Sequence, residues 1–388
     1  MIRKGIFWAH LICGVVAGLV ILMMSVTGVL LTYERQLLDW STAGQYRVEA
    51  AGRERLPLDQ LLAAAVAGRY VPASITLSAD AEAPLLLRRG RAERRAMNPY
   101  SGELYPPASE RLDDFFHSVE QWHRWFNAGG EQRALGRAIT GACNLAFLFL
   151  LLSGLYLWLP AVYRWSTLRL RLWFHPNARS GKARDFNWHH VFGFWAALPL
   201  LVIISTAVVF KYPWANSAVY RLAGEEVPQR GRGGPPRGAR GDAAAALNRS
   251  VSLESALQSA IGRSAGWRTL TVSLPRGTET DVGVQVDRGS GGQPQKRSSL
   301  TIDGHSGAVL AANTFADQST GRQWRTWIRF LHTGEALGFW GQTLAGLASL
   351  AAILMVWTGL ALSLRRLRSY LRRRGARRAP LASGADPT

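Results

Sequence analysis

The chain has 388 residues, a formal net charge of +20 and 48% hydrophobic residues. A basic chain of this size suggests nucleic-acid binding, but the arginines cluster beside long apolar segments, a pattern typical of membrane proteins. The composition therefore predicts a membrane protein and no nucleic-acid partner.

Four long stretches of the sequence contain no Asp, Glu, Lys or Arg. A helix of about 20 residues crosses the hydrocarbon core of a bilayer, and each stretch is long enough to do so. The sequence therefore predicts an α-helical membrane protein with four transmembrane helices. The uncharged stretches are 5–33, 138–163, 186–210 and 336–364, and the helical segments assigned to them are 1–33, 136–163, 186–212 and 336–364.

The segments that connect the helices predict the orientation of the chain in the bilayer. Arginines crowd the short connection 164–185 and the tail 365–388, whereas 34–135 and 213–335 are long and mixed in composition. Basic loops stay on the cytoplasmic side of a membrane. We therefore expect a bacterial inner-membrane protein with both termini in the cytoplasm and the two long segments in the periplasm.

The sequence also carries the signs of a tandem repeat. His10 precedes Thr27 by seventeen residues, and His189 precedes Thr206 by the same number. The second and fourth helical segments match each other in the same way, because Gly136 and Gly341 stand at equal distances before Ser153-Gly154-Leu155 and Thr358-Gly359-Leu360. The predicted unit is helix, periplasmic domain, helix, used twice.

Each long segment predicts a small α+β domain, with one helix followed by short strands. A turn containing Gly102 closes the first pattern and one containing Gly307 closes the second, and both glycines are expected at positive φ. The predicted helices are 57–70 and 253–263, and the predicted strands are 73–78, 84–89, 268–274, 281–287 and 299–302. The Gly/Arg/Pro-rich stretch 229–241 has no periodicity and is predicted to be a disordered tether.

Four histidines at the ends of the apolar segments suggest cofactor binding. His10 and His189 fall at one predicted membrane face, and His123 and His332 fall at the other. A six-coordinate haem b takes two imidazoles as axial ligands of its iron, so the sequence predicts two haem b groups. A lone histidine at a helix end is more often a hydrogen-bonded interfacial residue, and His190 is an alternative ligand beside His189. The absence of C-x-x-C-H excludes covalent haem attachment.

Several motifs resemble those of one known family. FWAH, WHRWF, NWHHVFGFW and FLHTGEALGFWGQ, in this order, are similar to the PepSY-associated transmembrane family, and NPYSGELY and DGHSGAVL resemble the strand-turn-strand of the PepSY domain. The resemblance covers nearly the whole chain and implies two PepSY-like periplasmic domains. It also implies haem ligation by His10, His123, His189 and His332. His190 departs from the family, where Asn is common.

Members of the family include iron-regulated membrane proteins, some of which resemble siderophore reductases. This resemblance implies a haem-dependent oxidoreductase, a ferric-siderophore reductase that reduces Fe(III) to Fe(II) in the periplasm for iron acquisition. Hard oxygen ligands hold Fe(III) far better than Fe(II), so the reduction loosens the chelate. No nucleotide-binding G-x-G-x-x-G follows a predicted strand, so a quinol, another protein or a cytoplasmic reductant is expected to supply the electrons.

Other residues and other functions stay open at the level of sequence. Arg124, Arg133, Arg325 and Arg329 flank the second histidine pair and are expected to contact haem propionates or an anionic chelate, with interfacial anchoring as the alternative. His117 is expected on the surface or next to a ligand, and His175 and His305 are expected to be structural or solvent-facing, with contact to a periplasmic substrate as an alternative for His305. The alternative functions are a non-catalytic haem- or metal-binding accessory of iron uptake, and a PepSY-type modulator of periplasmic hydrolases.

Overall fold

The structure is a computed structural model that describes the chain apart from 51, 91–92, 107–109, 161–162, 229–250, 276–279 and 379–388. The predicted tether at 229–241 lies outside the described residues. The chain divides into two compact units. The helical unit comprises Met1–Thr32, Val119–Tyr212 and Thr343–Thr388, and the sheet unit comprises Tyr33–Ser118 and Pro213–Gln342.

Twelve α-helices are formed by the described residues. In chain order they are α1 (Ile2–Leu31), α2 (Glu34–Gln45), α3 (Leu58–Ala67), α4 (Glu110–Trp125), α5 (Gln132–Trp158), α6 (Trp165–Leu172), α7 (Gly181–Trp195), α8 (Ala197–Lys211), α9 (Pro213–Leu222), α10 (Leu253–Gly262), α11 (Thr320–His332) and α12 (Gly338–Arg378). Short 3₁₀ turns occupy Pro294–Lys296 and Glu335–Leu337.

Three helical stretches of the described chain are long and apolar enough to cross a membrane. They are Ile2–Thr42, Gln132–Trp158 and Glu335–Arg374, and α7 with α8 makes a fourth candidate that bends by 66°. The sequence predicts this third segment as one straight helix, and Pro199 explains the difference. Its ring clashes with the carbonyl of Trp195, four residues earlier, and it has no N–H to donate there. The protein is therefore a membrane protein with three or four spans.

The core of the helical unit forms around α5, which packs against α1 and α8. The buried residues of this core come from three helical segments and are Leu151, Ala196, Ala197, Leu200, Ile204, Ala348, Ala351 and Ala352. Asn144 is buried among them, and its Nδ2 donates a hydrogen bond to the carbonyl of Ile204 at 3.2 Å. A buried amide that finds a partner in this way fixes the register between α5 and α8.

The sheet unit contains one antiparallel sheet of seven strands in the order β3-β2-β1-β4-β5-β6-β7. Its strands are β1 (Ser74–Ser78), β2 (Leu85–Arg89), β3 (Glu93–Met97), β4 (Thr269–Ser273), β5 (Asp281–Asp287), β6 (Arg297–Asp303) and β7 (Val309–Thr314). Strands from the two long segments meet where Thr76 pairs with Thr271, whose hydroxyl oxygens lie 2.9 Å apart. The sequence predicts two separate domains, but β1 and β4 would each then expose an unpaired edge, and their pairing removes both edges.

The helices α3 and α10 cap each other at their first turns. Glu254, in the first turn of α10, accepts a hydrogen bond from the N–H of Leu58 at 2.7 Å. Asp59, in the first turn of α3, accepts one from the N–H of Leu253 at 2.8 Å. Each carboxylate thus satisfies an N–H that the other helix cannot use internally. Both helices contribute to one core with the strands, in which Leu61, Leu257, Leu270, Val282 and Ile302 are fully buried.

The two predicted turns have the backbone conformation that their glycines require. Gly102 has φ of +74° and Gly307 has φ of +70°, as predicted. The side chains of Asn98 and Asp303 accept hydrogen bonds from backbone N–H groups two residues ahead, at 2.9 and 3.1 Å. Such Asx turns reverse the chain between β3 and the isolated bridge at Leu104, and between β6 and β7.

Candidate functional site

A serine on α5 holds the imidazole of His10, which projects from α1. His10 Nδ1 lies 2.9 Å from Ser153 Oγ. The same hydroxyl lies 2.6 Å from the carbonyl of Phe149, one turn earlier in α5. The next residue, Gly154, faces the ring, and a Cβ there would stand 3.3 Å from His10 Cε1. A hydroxyl and a bare glycine therefore form the seat of this imidazole.

A second seat of the same construction holds His189 on α7. Its Nδ1 lies 3.0 Å from Thr358 Oγ1 on α12, and that hydroxyl donates to the carbonyl of Leu354 at 2.7 Å. A Cβ at Gly359 would stand 3.3 Å from His189 Cε1. We call Ser153-Gly154 and Thr358-Gly359 hydroxyl–glycine seats. They are the residues whose matching positions indicate a repeat in the sequence.

A third hydroxyl–glycine seat, Thr27-Gly28 on α1, holds His123. His123 Nδ1 lies 2.9 Å from Thr27 Oγ1, and a Cβ at Gly28 would stand 3.6 Å from His123 Cε1. Thr27 is seventeen residues after His10, which is about 25 Å along an α-helix. The seats of His10 and His123 therefore lie near opposite ends of α1, as the sequence predicts.

The seat hydroxyls suit one tautomer of these three histidines. Each hydroxyl lies within hydrogen-bonding distance of a carbonyl of its own helix and of an imidazole Nδ1. A serine or threonine hydroxyl has one proton, so when it donates that proton to the carbonyl it accepts from Nδ1–H. The lone pair of the ring is then on Nε2. An imidazole that is held through Nδ1–H and offers Nε2 is the usual form of a histidine metal ligand.

His10 and His189 lie in the same unit, and α1 contacts α12 beside the second seat, where a Cβ at Gly18 would stand 3.5 Å from Leu360, the residue after Gly359. Both are partly buried, and the helices that carry their seats, α5 and α12, belong to the same unit. Among the described residues, no group of three or more His, Cys, Asp or Glu side chains is placed to hold a metal ion. Two imidazoles alone suit an iron whose four equatorial ligands come from a porphyrin.

His190 has a different environment from His189. Its Nδ1 donates to the carbonyl of Phe186 at 2.8 Å, and its ring lies 4.1 Å from the Phe186 ring. Both partners belong to its own helix, α7, so no residue of another helix in these contacts orients the ring. This difference favours His189 as the ligand and leaves His190 as the alternative.

The remaining predicted ligand, His332, lies in the sheet unit. It is the last residue of α11 and is partly buried. Thr206, which matches Thr27 in the repeat that the sequence predicts, donates its hydroxyl proton to the carbonyl of Val202 at 2.7 Å and is followed by Ala207 rather than glycine. The ligand roles of His123 and His332 stay predictions.

The four predicted arginines each contact side chains of the protein. The guanidinium groups of Arg124 and Arg133 lie 4.5 and 4.0 Å from the Trp125 ring centroid, and Arg124 also pairs with Glu120. Arg325 donates to Asn216 at 2.8 Å, and Arg329 lies 5.4 Å from the Phe330 ring. These contacts favour the anchoring alternative, and contacts of these arginines with a propionate or chelate stay a prediction.

Glycines below the histidines serve helix packing. A Cβ at Gly14 would lie 3.7 Å from Leu150, one at Gly18 would lie 3.5 Å from Leu360, and one at Gly193 would lie 3.6 Å from Met355. All three neighbours are side chains of adjacent helices, as expected for small residues at helix interfaces. The side chains of His117, His175 and His305 are exposed, as predicted.

A comparison with known families decides the classification. The model of a family described as PepSY-associated TM region matches residues 7–366, a range that includes all four predicted ligands and all three seats. The chain belongs to the PepSY-associated TM family. The family resemblance found in the sequence is thereby confirmed. No curated protein matches the chain significantly.

The hydroxyl–glycine seats of this PepSY-associated TM protein were not predicted from its sequence. Ser153, Thr358 and Thr27 stand in the sequence as markers of the repeat, and small residues in membrane helices are usually there for packing. One signal was available. In each seat a hydroxyl residue directly precedes a glycine, and two of the three stand at repeat-related positions.

Proposed function

We propose that this PepSY-associated TM protein binds haem b between His10 and His189 and takes part in electron transfer to a ferric chelate. The observation that carries the proposal is the pair of hydroxyl–glycine seats. Each seat hydroxyl lies within hydrogen-bonding distance of one imidazole Nδ1, which leaves Nε2 to bind iron. His190 is the alternative to His189.

The seats meet the requirements of a haem site. Hydrogen bonds to the outer nitrogen of a ligating histidine orient the ring and raise its basicity. The glycines leave room for the edge of each imidazole, because a Cβ at either position would stand only 3.3 Å from Cε1. When two imidazoles occupy both axial positions of the iron, the haem carries single electrons and leaves no position for oxygen.

The second half of the proposal concerns the far end of α1. Thr27, which holds His123, stands about 25 Å along α1 from His10. We propose a second haem, with His123 and His332 as its ligands. The substrate would be a ferric siderophore in the periplasm, reduced to the ferrous form, with the protein in the bacterial inner membrane and both termini in the cytoplasm. Arginines in 164–185 and 365–388 support that orientation.

The first experiment asks whether haem binds where proposed. The full chain is purified in detergent, and its reduced-minus-oxidised absorbance spectrum and haem content per chain are measured. We expect b-type bands in the wild type and the loss of one haem in His10→Ala and in His189→Ala. The matched control is His190→Ala, the neighbouring imidazole without a seat, which should keep the haem. His117→Ala replaces an exposed histidine and should also keep it.

A second experiment separates electron transfer from simple binding. The reduced protein is mixed with a ferric siderophore, and reoxidation of the haem is followed together with trapping of Fe(II) by a ferrous-specific chelator. Both signals are expected. If haem is present but the ferric chelate does not oxidise it, the protein is better described as a haem-binding accessory of iron uptake. A wild type without b-type bands would contradict the proposal and favour the PepSY-type modulator.

A further inference from the structure

A cavity of about 660 Å³ opens beside α7 in the helical unit. Its wall combines side chains of the connection between α6 and α7 with side chains of α7 itself. Residues that carry the argument are Phe174, Arg179, Arg184, Trp188 and Phe192. Sites for small molecules and cofactors occupy about 300–1,000 Å³, so this cavity has the size of a cofactor site. No residue of the cavity belongs to a hydroxyl–glycine seat.

Aromatic rings form one side of the cavity. The ring of Phe174 lies 5.2 Å from that of Phe192 and 6.4 Å from that of Trp188, with interplanar angles of 62° and 82°. Trp188 and Phe192 meet edge to face as well, at 6.3 Å and 88°. In each edge-to-face contact the edge of one ring meets a face of the other, so the three contacts cover at most three of the six ring faces and leave the others for a planar ligand.

Two arginines, Arg179 and Arg184, also line the cavity, and the guanidinium of Arg184 stands 5.4 Å from the Trp188 ring centroid. No Asp or Glu occurs among the described residues that line the cavity. Arg184 donates through Nε and Nη2 to the buried carboxylate of Asp185, which also pairs with Arg365. Its remaining N–H groups and those of Arg179 are the ones that a ligand can use. The combination favours a ligand that has both a planar ring and an anionic group, such as a phosphate that arginine binds through two hydrogen bonds.

We propose that this cavity binds flavin mononucleotide, with the isoalloxazine ring against Trp188 and the phosphate at Arg179 and Arg184. The choice of a flavin rests on the proposed function. A haem accepts one electron at a time, nicotinamides deliver a hydride, and flavins bridge the two kinds of chemistry. Trp188 directly precedes His189 in α7, so the flavin would lie within one helical turn of the proposed haem ligand. A nicotinamide would reduce the flavin by transferring a hydride, with one proton taken from solvent. The reduced flavin would then release two electrons and two protons, which is enough to reduce two ferric ions.

The test measures binding alone, so its result does not depend on the haem. Flavin mononucleotide is titrated into the full chain in detergent, and quenching of the flavin fluorescence by the stacked tryptophan is recorded. Saturable binding is expected, and Trp188→Leu should weaken it by about tenfold, since stacking and cation–π contacts contribute about 1–2 kcal/mol. Arg179→Gln should weaken binding of flavin mononucleotide but not of riboflavin, which has no phosphate. The matched controls are Trp165→Leu and Arg169→Gln, which alter α6 outside the cavity wall.

Competing outcomes are distinguishable. If phosphatidylglycerol displaces flavin mononucleotide and riboflavin binds no better in the wild type than in Trp188→Leu, the cavity is a lipid site and the proposal is overturned. Equal affinities of the wild type and Trp188→Leu for flavin mononucleotide overturn it too. Flavin binding by a protein without b-type bands would support this site while contradicting the proposed function, and haem bands without flavin binding would do the reverse.

Discussion

Ser153 Oγ lies 2.9 Å from His10 Nδ1 and 2.6 Å from the carbonyl of Phe149. The contact joins α5 to α1 through one side chain on each helix. It orients the imidazole, and Thr358 does the same for His189. Serine and threonine thus have the same role at two positions that the sequence predicts to be repeat-related.

Ser153→Ala should weaken haem binding while leaving the helices folded. The substitution removes the acceptor of His10 Nδ1–H, and loss of such a partner typically costs about 10- to 100-fold in metal affinity. Haem content per chain and the reduced-minus-oxidised spectrum measure the effect. Ser153→Thr restores a hydroxyl and should recover binding. Ser25→Ala removes a buried hydroxyl of α1 that donates to the carbonyl of Ile21 in the same helix, and it serves as the control. Equal haem content in all four proteins would show that the hydrogen bond has no role in ligation.

Gly359→Ala should change the ligation of haem by His189 more than Gly193→Ala does. The new Cβ would stand 3.3 Å from His189 Cε1 and 3.7 Å from Nδ1, so the ring has to turn or retreat from Thr358. At Gly193 the new methyl meets only the flexible end of Met355 at 3.6 Å, and alanine favours the helix over glycine. Low-temperature electron paramagnetic resonance of the ferric haem reports the axial ligand geometry. A change in Gly193→Ala equal to that in Gly359→Ala would contradict the steric explanation.

Much of this architecture is readable from the sequence because membrane helices and turns are local features. The uncharged stretches predict the spans, and Gly102 and Gly307 predict the turns at positive φ. Pairings between distant segments are not readable in this way. The sequence around Thr76 does not indicate that its strand pairs with the strand of Thr271 rather than forming an edge of the sheet. Strand partners are chosen by the packing of the whole unit.

The candidate site, too, has features that the sequence predicts and features that depend on packing between distant segments. Equal spacing identifies His10 and His189 as related residues, and the pattern sets His190 apart. The seats depend on which helix packs against which, and the sequence of α5 alone does not say that Ser153 faces α1. The bend between α7 and α8 can be predicted from the sequence, because proline disrupts the preceding turn of a helix and Pro199 lies in this segment.

Glu254→Gln should reduce the loss of folding stability that occurs as the pH falls. Burial alone would raise the pKa of Glu254, but hydrogen bonds from Arg55, Gln258 and the N–H of Leu58 outweigh burial and lower it below the usual value of 4.5. A carboxyl whose pKa is lowered by folding stabilises the folded state above its unfolded pKa, and this contribution is lost as the pH falls through the folded pKa. We therefore expect the wild type to lose stability as the pH falls below about 4.5.

In Glu254→Gln the cap is weaker at neutral pH, by about 1 kcal/mol, and the acid-dependent loss is smaller. Thermal unfolding of the full chain in detergent, followed by tryptophan fluorescence from pH 7 to pH 3, measures both effects. Glu103→Gln removes an exposed carboxylate of the same unit and should behave as the wild type does. A steeper acid loss in Glu254→Gln than in the wild type would contradict the assigned sign.

Gly307→Ala should destabilise the sheet unit more than Gly90→Ala, although both glycines have left-handed backbones, with φ of +70° and +75°. The left-handed conformation costs a residue with a Cβ about 1–2 kcal/mol at either position. At Gly90 the added methyl meets open space, whereas at Gly307 it would clash with Ser255 Oγ on α10.

Removing the Ser255 hydroxyl should therefore remove the destabilisation that the clash causes. In Ser255→Ala/Gly307→Ala the nearest atom at position 255 becomes the Cβ, 3.6 Å away. The loss of thermal stability should then fall to the size seen in Gly90→Ala, when each variant is compared with its own glycine-containing parent. Additive losses in the double variant would show that the clash is not what distinguishes the two turns.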